Sequence, residues 1–392
     1  MRKILLLGDF DATGGTGTYF RRLAELLRNH YDIHIALRGE QRNIGNIEFL
    51  EKGQYSYSVD FSFLKKLDRF AARAARRLDL TLLYWWCRDS VSFRLLARKY
   101  KPDLVFISQG GGMRFFSALT LTEPVAIVCH SLQSQPAAKS ALDRQFFRLF
   151  RRLDISRKRI VHVSEHAAAL FKENIPCKNL REASIVIHNF GKSFPVARES
   201  GPRLRVLTLG HVVGYKNPIL WLEVARRVDE EFPGRFEWVW AGLGSMLADC
   251  KARAKPFTNI HFIGYRPDVV ELYQNCDVYF QPSIWENHSI SVIEAMGSGL
   301  PCVVSRAGGL PETIRDRIDG FVCGVDSVEQ YAAAFAELFR DSDLRQRMGR
   351  NARLRFDECY TENAWSRKVI SMIESIVDDK PRGFIIKKLE KA

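Results

Sequence analysis

The sequence predicts an α/β protein built from two doubly wound domains. Three observations carry this. Short runs rich in Val, Ile and Leu alternate with helix-length amphipathic segments through both halves of the chain. The length, 392 residues, exceeds what one ordinary hydrophobic core serves. Between the halves, "NFGKSFPVARESGPRL" (189–204) carries Gly, Pro and Ser, lacks periodicity and reads as a linker. The expected organisation is a basic first domain at 1–190, a linker at 191–204, a second domain at 205–362 and a C-terminal helix within 363–392.

In the first half the expected strands are 3–8, 103–108, 125–130, 159–164 and 184–189. In the second they are 205–210, 236–242, 259–264, 277–282, 301–305 and 320–323. Runs this continuously apolar suit strands covered on both faces of a parallel sheet. Two such domains facing each other would enclose a cleft at the carboxyl ends of their strands, where doubly wound folds bind ligands.

Composition narrows the class. Hydrophobic residues make up 46% and charged residues 27%, a globular balance. No apolar run reaches the roughly 20 residues a membrane-spanning helix needs. The start, "MRKILLLGDF", reads as a first buried strand rather than a signal peptide, because its apolar run is short and ends in Asp. The 8 cysteines are scattered without a CxxC pair, which suggests reduced core thiols and a cytoplasmic setting. Residues 1–200 hold 33 basic and 19 acidic side chains, an excess of 14 that equals the formal charge of the whole chain. The asymmetry points to an anionic partner for the first half.

Chemistry-bearing residues cluster where strands end. "GDFDATGGTGTYFRRLAELL" (8–27) is strand, glycine turn and helix start, where Gly14 and Gly15 allow close backbone approach and the helix amides suit an anion. A plain βα turn with a threonine cap fits the same letters. Asp9 and Asp11 read as turn residues, and no metal is expected. His130 closes an apolar strand, as either a satisfied strand-end histidine or a hydrogen-bonding group for substrate. Lys216 lies on the loop opening a helix in "VLTLGHVVGYKNPILWLEVARRV" (206–228), a place suited to clamping a diphosphate. In "ENHSISVIEAM" (286–296), Ser291-x-x-Glu294 fits a capping box. Glu286 and Glu294 stand eight positions apart. Along a helix that is about 12 Å of rise, which suits two binding points on one elongated ligand better than a glycosidase acid/nucleophile pair.

Residues 206–323 resemble the donor-binding half of retaining GT-B glycosyltransferases of family 4. Glu286-x7-Glu294 matches the paired glutamates of that family. Gly210-His211…Lys216 is similar to its glycine-arginine…lysine motif, Gly242-x-Gly244 to its glycine turn, and Ala307-Gly308-Gly309-Leu310-Pro311-Glu312 to its final loop. The first half agrees more loosely, through Gly14-Gly15, His130 and "VSEH…HNFG" (163–191).

The resemblance implies a GT-B fold and transfer of a sugar from a nucleoside diphosphate sugar, with UDP favoured and GDP as the alternative, and with no further cofactor. It gives Glu294 the ribose hydroxyls, Glu286 the sugar hydroxyls and Lys216 the diphosphate. The backbone at Asn287, His288, Ser289 and Ile290 would meet sugar or phosphate, and Gly15 and Thr16 would approach the phosphate. His130 would meet the sugar near its 6-position or support developing charge. Tyr265, after the 259–264 strand, belongs to the same expected donor set. The resemblance also implies a last helix packing back on the first domain. Two positions depart from the family. His211 replaces the usual arginine and makes a weaker, pH-sensitive clamp. Asn287-His288-Ser289 replaces glycine-aromatic-glycine, so the sugar is not transferable from the pattern.

On the acceptor side, segments 63–78 and 144–153 each place basic residues opposite an apolar helical face. Such faces suit an anionic membrane surface. The expectation is therefore a peripheral protein on the inner face of the cytoplasmic membrane, with a lipid-linked, lipopolysaccharide or polysaccharide acceptor. A nucleic-acid-binding protein would also be basic, but no motif of that class is present and stacking aromatics are not interleaved with the charge, so no nucleic acid is expected. A nucleotide-sugar 2-epimerase and a non-catalytic sugar-nucleotide-binding subunit are the closer alternatives.

Overall fold

The computed structural model describes residues 1–8, 15–37, 81–109, 113–130, 150–194 and 201–378. Asp9, Asp11 and Gly14, the basic segment 63–78, residues 144–149 of the second basic segment and the tail 381–392 lie outside these. The chain divides into two compact units, Met1–Ile187 with Ser366–Ala392, and His188–Trp365.

The first unit is built on β1 (Lys3–Gly8), β2 (Asp32–Leu37), β3 (Leu104–Gln109), β4 (Val125–Cys129), β5 (Lys158–His162) and β6 (Ser184–Val186). They form one parallel sheet in the order β2-β1-β3-β4-β5-β6. All five strands expected in this half are present, with ends shifted by up to three residues. β2 was not anticipated from its letters. Its "DIHIAL" alternates, with Asp32 exposed, His34 half-buried and Ile33 and Ile35 buried, as befits a strand ending the sheet order among the described residues.

The second unit is built on β7 (Leu204–Leu209), β8 (Phe236–Ala241), β9 (Ile260–Gly264), β10 (Val278–Gln281), β11 (Cys302–Ser305) and β12 (Gly320–Cys323). Its order is β12-β11-β10-β7-β8-β9, again all parallel. The order reverses between β7 and β10, so the loops leaving these neighbours diverge and open a crevice at their carboxyl ends. A large aromatic core sits behind it. Trp221 meets Trp238 edge-on with ring centres 5.8 Å apart, and Trp238 meets Phe335 at 4.8 Å. The Trp221 indole N–H donates to Thr208 Oγ1 at 2.8 Å, and that hydroxyl donates to the Phe280 carbonyl at 2.6 Å, which links helix Pro218–Glu231 to β7 and β10.

Helix Glu362–Val377 buries Val369, Met372, Ile373 and Ile376, an i, i+3, i+4, i+7 stripe. At its end Ile376 accepts a hydrogen bond from Arg157 Nε at 3.1 Å, and Asp378 pairs with Arg2. All eight cysteines are free thiols, six of them buried. No helix of the described residues is long and apolar enough to cross a membrane.

His162, at the end of β5, is fully buried against Phe171 with ring centres 4.7 Å apart, and neither ring nitrogen has a hydrogen-bond partner among the described residues. Burial, helped by the Lys172 charge, pushes its pKa down to about 3. The unfolded chain, with a histidine pKa near ~6.5, binds a proton the folded chain refuses. His162 therefore contributes stability above about pH 6.5 that is lost as pH falls toward 3, at up to ~1.4 kcal/mol per pH unit inside that window. Denaturant unfolding at pH 7.5, 6.0 and 5.0 should show this decline. His162→Phe should flatten the slope by nearly one proton per molecule, and an unchanged slope in the variant would count against the assignment.

Candidate active site

The crevice between β7 and β10 begins with two glycine contacts. After β7 the chain turns through Gly210 and His211, and Gly242, at the end of β8, lies directly beneath. A Cβ on Gly242 would stand 1.9 Å from the Gly210 carbonyl oxygen, so only glycine lets the two strand ends close up. A short 3-10 turn, Gly214–Lys216, follows, and Asn217 at φ 58° ends it so that Pro218 can open the next helix. Lys216 is thereby aimed across the strand ends, where its ammonium pairs with Glu286 Oε2. Both side chains are largely covered, at 13% and 15% exposure, so solvent screens the pair less than it would a surface bridge.

Glu286 sits on the loop leaving β10. Its backbone carbonyl accepts a hydrogen bond from Gly309 N–H at 3.0 Å. Gly308 adopts φ 54°, and a Cβ there would stand 1.7 Å from the same carbonyl oxygen. The loop that the sequence singled out at 307–312 thus braces the Glu286 backbone. The carboxylate has a second partner that sequence reading missed. Gln281, the last residue of β10 and 1% exposed, donates from Nε2 to Glu286 Oε2 at 2.9 Å. Its Oε1 accepts from Ser289 Oγ at 3.0 Å and Ser291 Oγ at 3.3 Å. A glutamine closing an otherwise apolar strand was the available signal.

Helix Ile290–Gly297 starts two residues earlier than a Ser291–Glu294 capping box requires. Its N-cap is Ser289, without a side-chain cap bond, while Ser291 lies inside the first turn and turns its hydroxyl to Gln281. The expected capping role of Ser291 and Glu294 is therefore corrected. So is the uniformly helical spacing of the two glutamates, because residues 286–289 precede the helix. Glu294 is 8% exposed. The Tyr273 hydroxyl donates to the Ser291 carbonyl at 2.9 Å and lies 3.4 Å from Glu294 Oε2, and the Lys192 amide reaches Glu294 Oε1 at 3.5 Å. Burial, reinforced by the Glu294 charge, raises the Tyr273 pKa well above its ordinary value, so it stays a proton donor. Lys216, Glu286, Gln281, Ser291, Tyr273 and Glu294 form one continuous chain of polar contacts.

His288 faces elsewhere. Its Nδ1 accepts from Asn189 N–H at 3.2 Å and its carbonyl from Asn189 Nδ2 at 2.8 Å, with the His188 ring 4.9 Å away. Burial, with the nearby His188 and Arg355 charges, depresses the His288 pKa well below the ordinary range. The neutral ring therefore carries its proton on Nε2. His188 Nε2 lies 3.5 Å from Glu312 Oε2, which ties the same segment to the 307–312 loop. Arg355 holds that loop from behind, donating to the Thr313 carbonyl at 2.9 Å and the Glu312 carbonyl at 2.6 Å.

The remaining expected residues are placed as follows. Asn287 and Ser289 are buried and Ile290 is half-buried at the helix start. His211 is half-buried beside Gly210, and Tyr265 is 57% exposed after β9. In the first unit, Gly15 and Thr16 open helix Gly15–Arg28. His130 follows β4, 3.1 Å from Ser108 Oγ on β3 and edge-on to Tyr19 at 4.6 Å. Burial pushes its pKa down to about 4, so it is a neutral hydrogen-bonding group at physiological pH. Lys216, Glu286, Glu294 and the 287–290 backbone are gathered in the second unit, and Gly15, Thr16 and His130 belong to the first.

Comparison with known proteins agrees with this geometry. An Escherichia coli relative, UDP-Gal:alpha-D-GlcNAc-diphosphoundecaprenol alpha-1,3-galactosyltransferase, is 27% identical over 37% of this chain and 38% of its own length. The chain spans about a third of the length of the curated relatives it matches first. Sucrose-phosphate synthase from Thermosynechococcus elongatus superposes with TM-score 0.73 at 16% identity, covering 96% of this chain and 100% of that one. Anabaena HepE, solved with UDP and glucose, superposes with TM-score 0.69 at 16% identity over 96% and 100% of the two chains. The fold is the GT-B type, two Rossmann-like units. Residues 190–355, which carry the Lys216–Glu286 pair, Glu294 and the 307–312 loop, match the family described as glycosyl transferases group 1.

Proposed function

We propose that this protein is a retaining glycosyltransferase. It takes a sugar from a nucleoside diphosphate sugar, UDP favoured over GDP, to a hydroxyl of a lipid-linked, lipopolysaccharide or polysaccharide acceptor. The observation that carries the reading is the Lys216–Glu286 pair at the strand-order reversal, linked through Gln281, Ser291 and Tyr273 to Glu294. Two carboxylates held along one polar chain suit a ligand with hydroxyls at both ends and anionic charge between.

In this reading Glu294 accepts from ribose hydroxyls and Glu286 from hydroxyls of the transferred sugar. An ammonium has three N–H donors. Lys216 spends one on Glu286 and keeps the others for diphosphate oxygens, with His211 beside it and the amides opening helix Ile290–Gly297 adding partial positive charge. As the bond from sugar C1 to the diphosphate oxygen breaks, the electron pair passes to that oxygen, and Lys216 stabilises the charge it develops. The acceptor oxygen bonds C1 on the departing face and its proton goes to the leaving phosphate. Gly15, Thr16 and His130 keep the phosphate and sugar roles that the resemblance gives them, His130 as a neutral group.

The UDP-galactose donor and diphosphoundecaprenol acceptor in the E. coli relative's name support a UDP-sugar and a lipid-linked acceptor. The positive excess in residues 1–200 supports docking on an anionic membrane at its cytoplasmic face.

A thermal-shift screen tests the core of this. UDP, GDP and their sugars should include at least one ligand that raises Tm, and no shift from any would overturn the reading. Lys216→Ala should lower transfer by roughly 10²–10³-fold, as loss of a charge-stabilising donor does. Glu294→Ala should weaken binding of the nucleotide with and without its sugar. Wild-type rates in the first variant, or wild-type affinity in the second, would remove those roles. Co-sedimentation with phosphatidylglycerol vesicles at low salt should exceed that with phosphatidylcholine vesicles and fall as salt rises. Equal recovery on both would exclude anionic docking.

A further inference from the structure

Gln281 belongs to no motif noted in the sequence, yet every polar atom of its carboxamide is committed. Nε2 points at Glu286 Oε2 at 2.9 Å. Oε1 collects the Ser289 and Ser291 hydroxyls at 3.0 and 3.3 Å, and the Tyr279 hydroxyl lies 3.3 Å away. Tyr279 itself accepts from the Leu209 amide at 3.2 Å, at the end of β7. The amide cannot be turned over. In the reversed orientation its oxygen would face a carboxylate, acceptor against acceptor, and lose its hydroxyl donors.

We propose that Gln281 is a positioning residue for the transferred sugar: it fixes the rotation of the Glu286 carboxylate so that Oε1 is presented to a sugar hydroxyl. The inference rests on the donor-site reading above. Lys216 and Gln281 both bind Oε2. The two partners differ in kind. An ammonium is a compact charge on a flexible stem, so it attracts the carboxylate without choosing its rotation. A buried amide N–H, fixed by two hydroxyls and by its place in a strand, is directional and does choose. Ser289 and Ser291 thus act on the sugar site through Gln281. This gives the stretch 287–289, where the chain leaves the family pattern, a means of influencing sugar recognition through Ser289 while the His288 side chain is held at Asn189. The effect is confined to the sugar. The ribose contact at Glu294 and the diphosphate contact at Lys216 do not require a particular rotation of Glu286.

Isothermal titration tests this on the full chain. Wild type is screened with UDP-glucose, UDP-galactose, UDP-N-acetylglucosamine and GDP-mannose, and the tightest is compared with its own diphosphate in wild type, Q281M and Q281E. Q281M keeps the volume and leaves Ser289 and Ser291 hydroxyls 3.1 Å apart to bond each other. It should lower the preference for nucleotide-sugar over diphosphate by about tenfold, the loss of one hydrogen bond to a charged group, with diphosphate affinity unchanged. Q281E sets a carboxyl against Glu286. It should lose the preference at pH 8 and regain part of it at pH 6, where a shared proton restores a donor. A merely structural role would not produce that recovery. Wild-type preference in Q281M, equal loss for sugar and diphosphate, or a pH-independent Q281E would each overturn the inference. Wild type binding no nucleotide at all would overturn the donor-site reading as well, which separates the two failures.

Discussion

The Lys216–Glu286 pair is the contact on which the arrangement of the second unit's strand ends depends. The two side chains, 70 residues apart in sequence, come from loops after β7 and β10, strands adjacent only because the sheet order reverses between them. A covered ion pair is costly to desolvate and is tolerated when its remaining lone pairs and protons are satisfied. Here the surrounding loops meet that condition. Gln281 supplies a second donor to Glu286. Gly309 fixes the Glu286 backbone, while Gly308 and Gly242 permit approaches that a Cβ would block. The Trp221–Thr208–Phe280 bridge behind the crevice holds β7 and β10 to the helix that Lys216 precedes. The glycines and the aromatic core therefore serve the same end, which is to bring opposite charges together at a point where neither strand alone would place them.

Much of this is legible in the sequence, and the exceptions share a cause. Strands buried on both faces announce themselves as apolar runs, so eleven of the twelve described strands can be read from their letters. β2 cannot, because Asp32 and His34 alternate with its isoleucines and leave no continuous apolar run to mark it. Lys216, Glu286 and Glu294 are legible as a set through the family motifs that their order and spacing resemble. Gln281, Tyr273 and Tyr279 are not, because their work is to bond other side chains rather than ligand. Their partners are set by tertiary packing, as where the sheet register pairs Tyr279 with Leu207, and that leaves no trace in local sequence. Ser291 misleads for a related reason. Serine three residues before glutamate satisfies the capping pattern, but Ser289 takes the cap and the Gln281 oxygen captures the Ser291 hydroxyl.

His288 shows how one residue type divides its labour. Its side chain leaves the strand ends and binds Asn189, two residues after the chain passes from the first unit to the second. The ring performs this task only while neutral, since Nδ1 must accept a hydrogen bond from a backbone amide, and burial enforces that state. His188 and Glu312 extend the attachment to the 307–312 loop, which in turn braces Glu286. The point where the second unit begins is thus connected by hydrogen bonds and packing to the carboxylate at its centre.

That connectivity bears on how the two glutamates should be understood. If they were separate binding points, the sequence pattern of seven intervening residues would be only a distance. The structure makes it a circuit. Glu286 is oriented by Gln281, Gln281 by Ser291, and the Ser291 carbonyl receives the Tyr273 hydroxyl that also lies beside Glu294. A buried network in which each member satisfies its neighbour resists partial rearrangement, because moving one group strands the next. Under the donor-site reading proposed above, the sugar end and the ribose end of a bound donor are read by a single preorganised element. Its rigidity comes from side chains that need never touch the ligand, and preorganisation of this kind is what lets a few polar groups stabilise developing charge without reorganising as it forms.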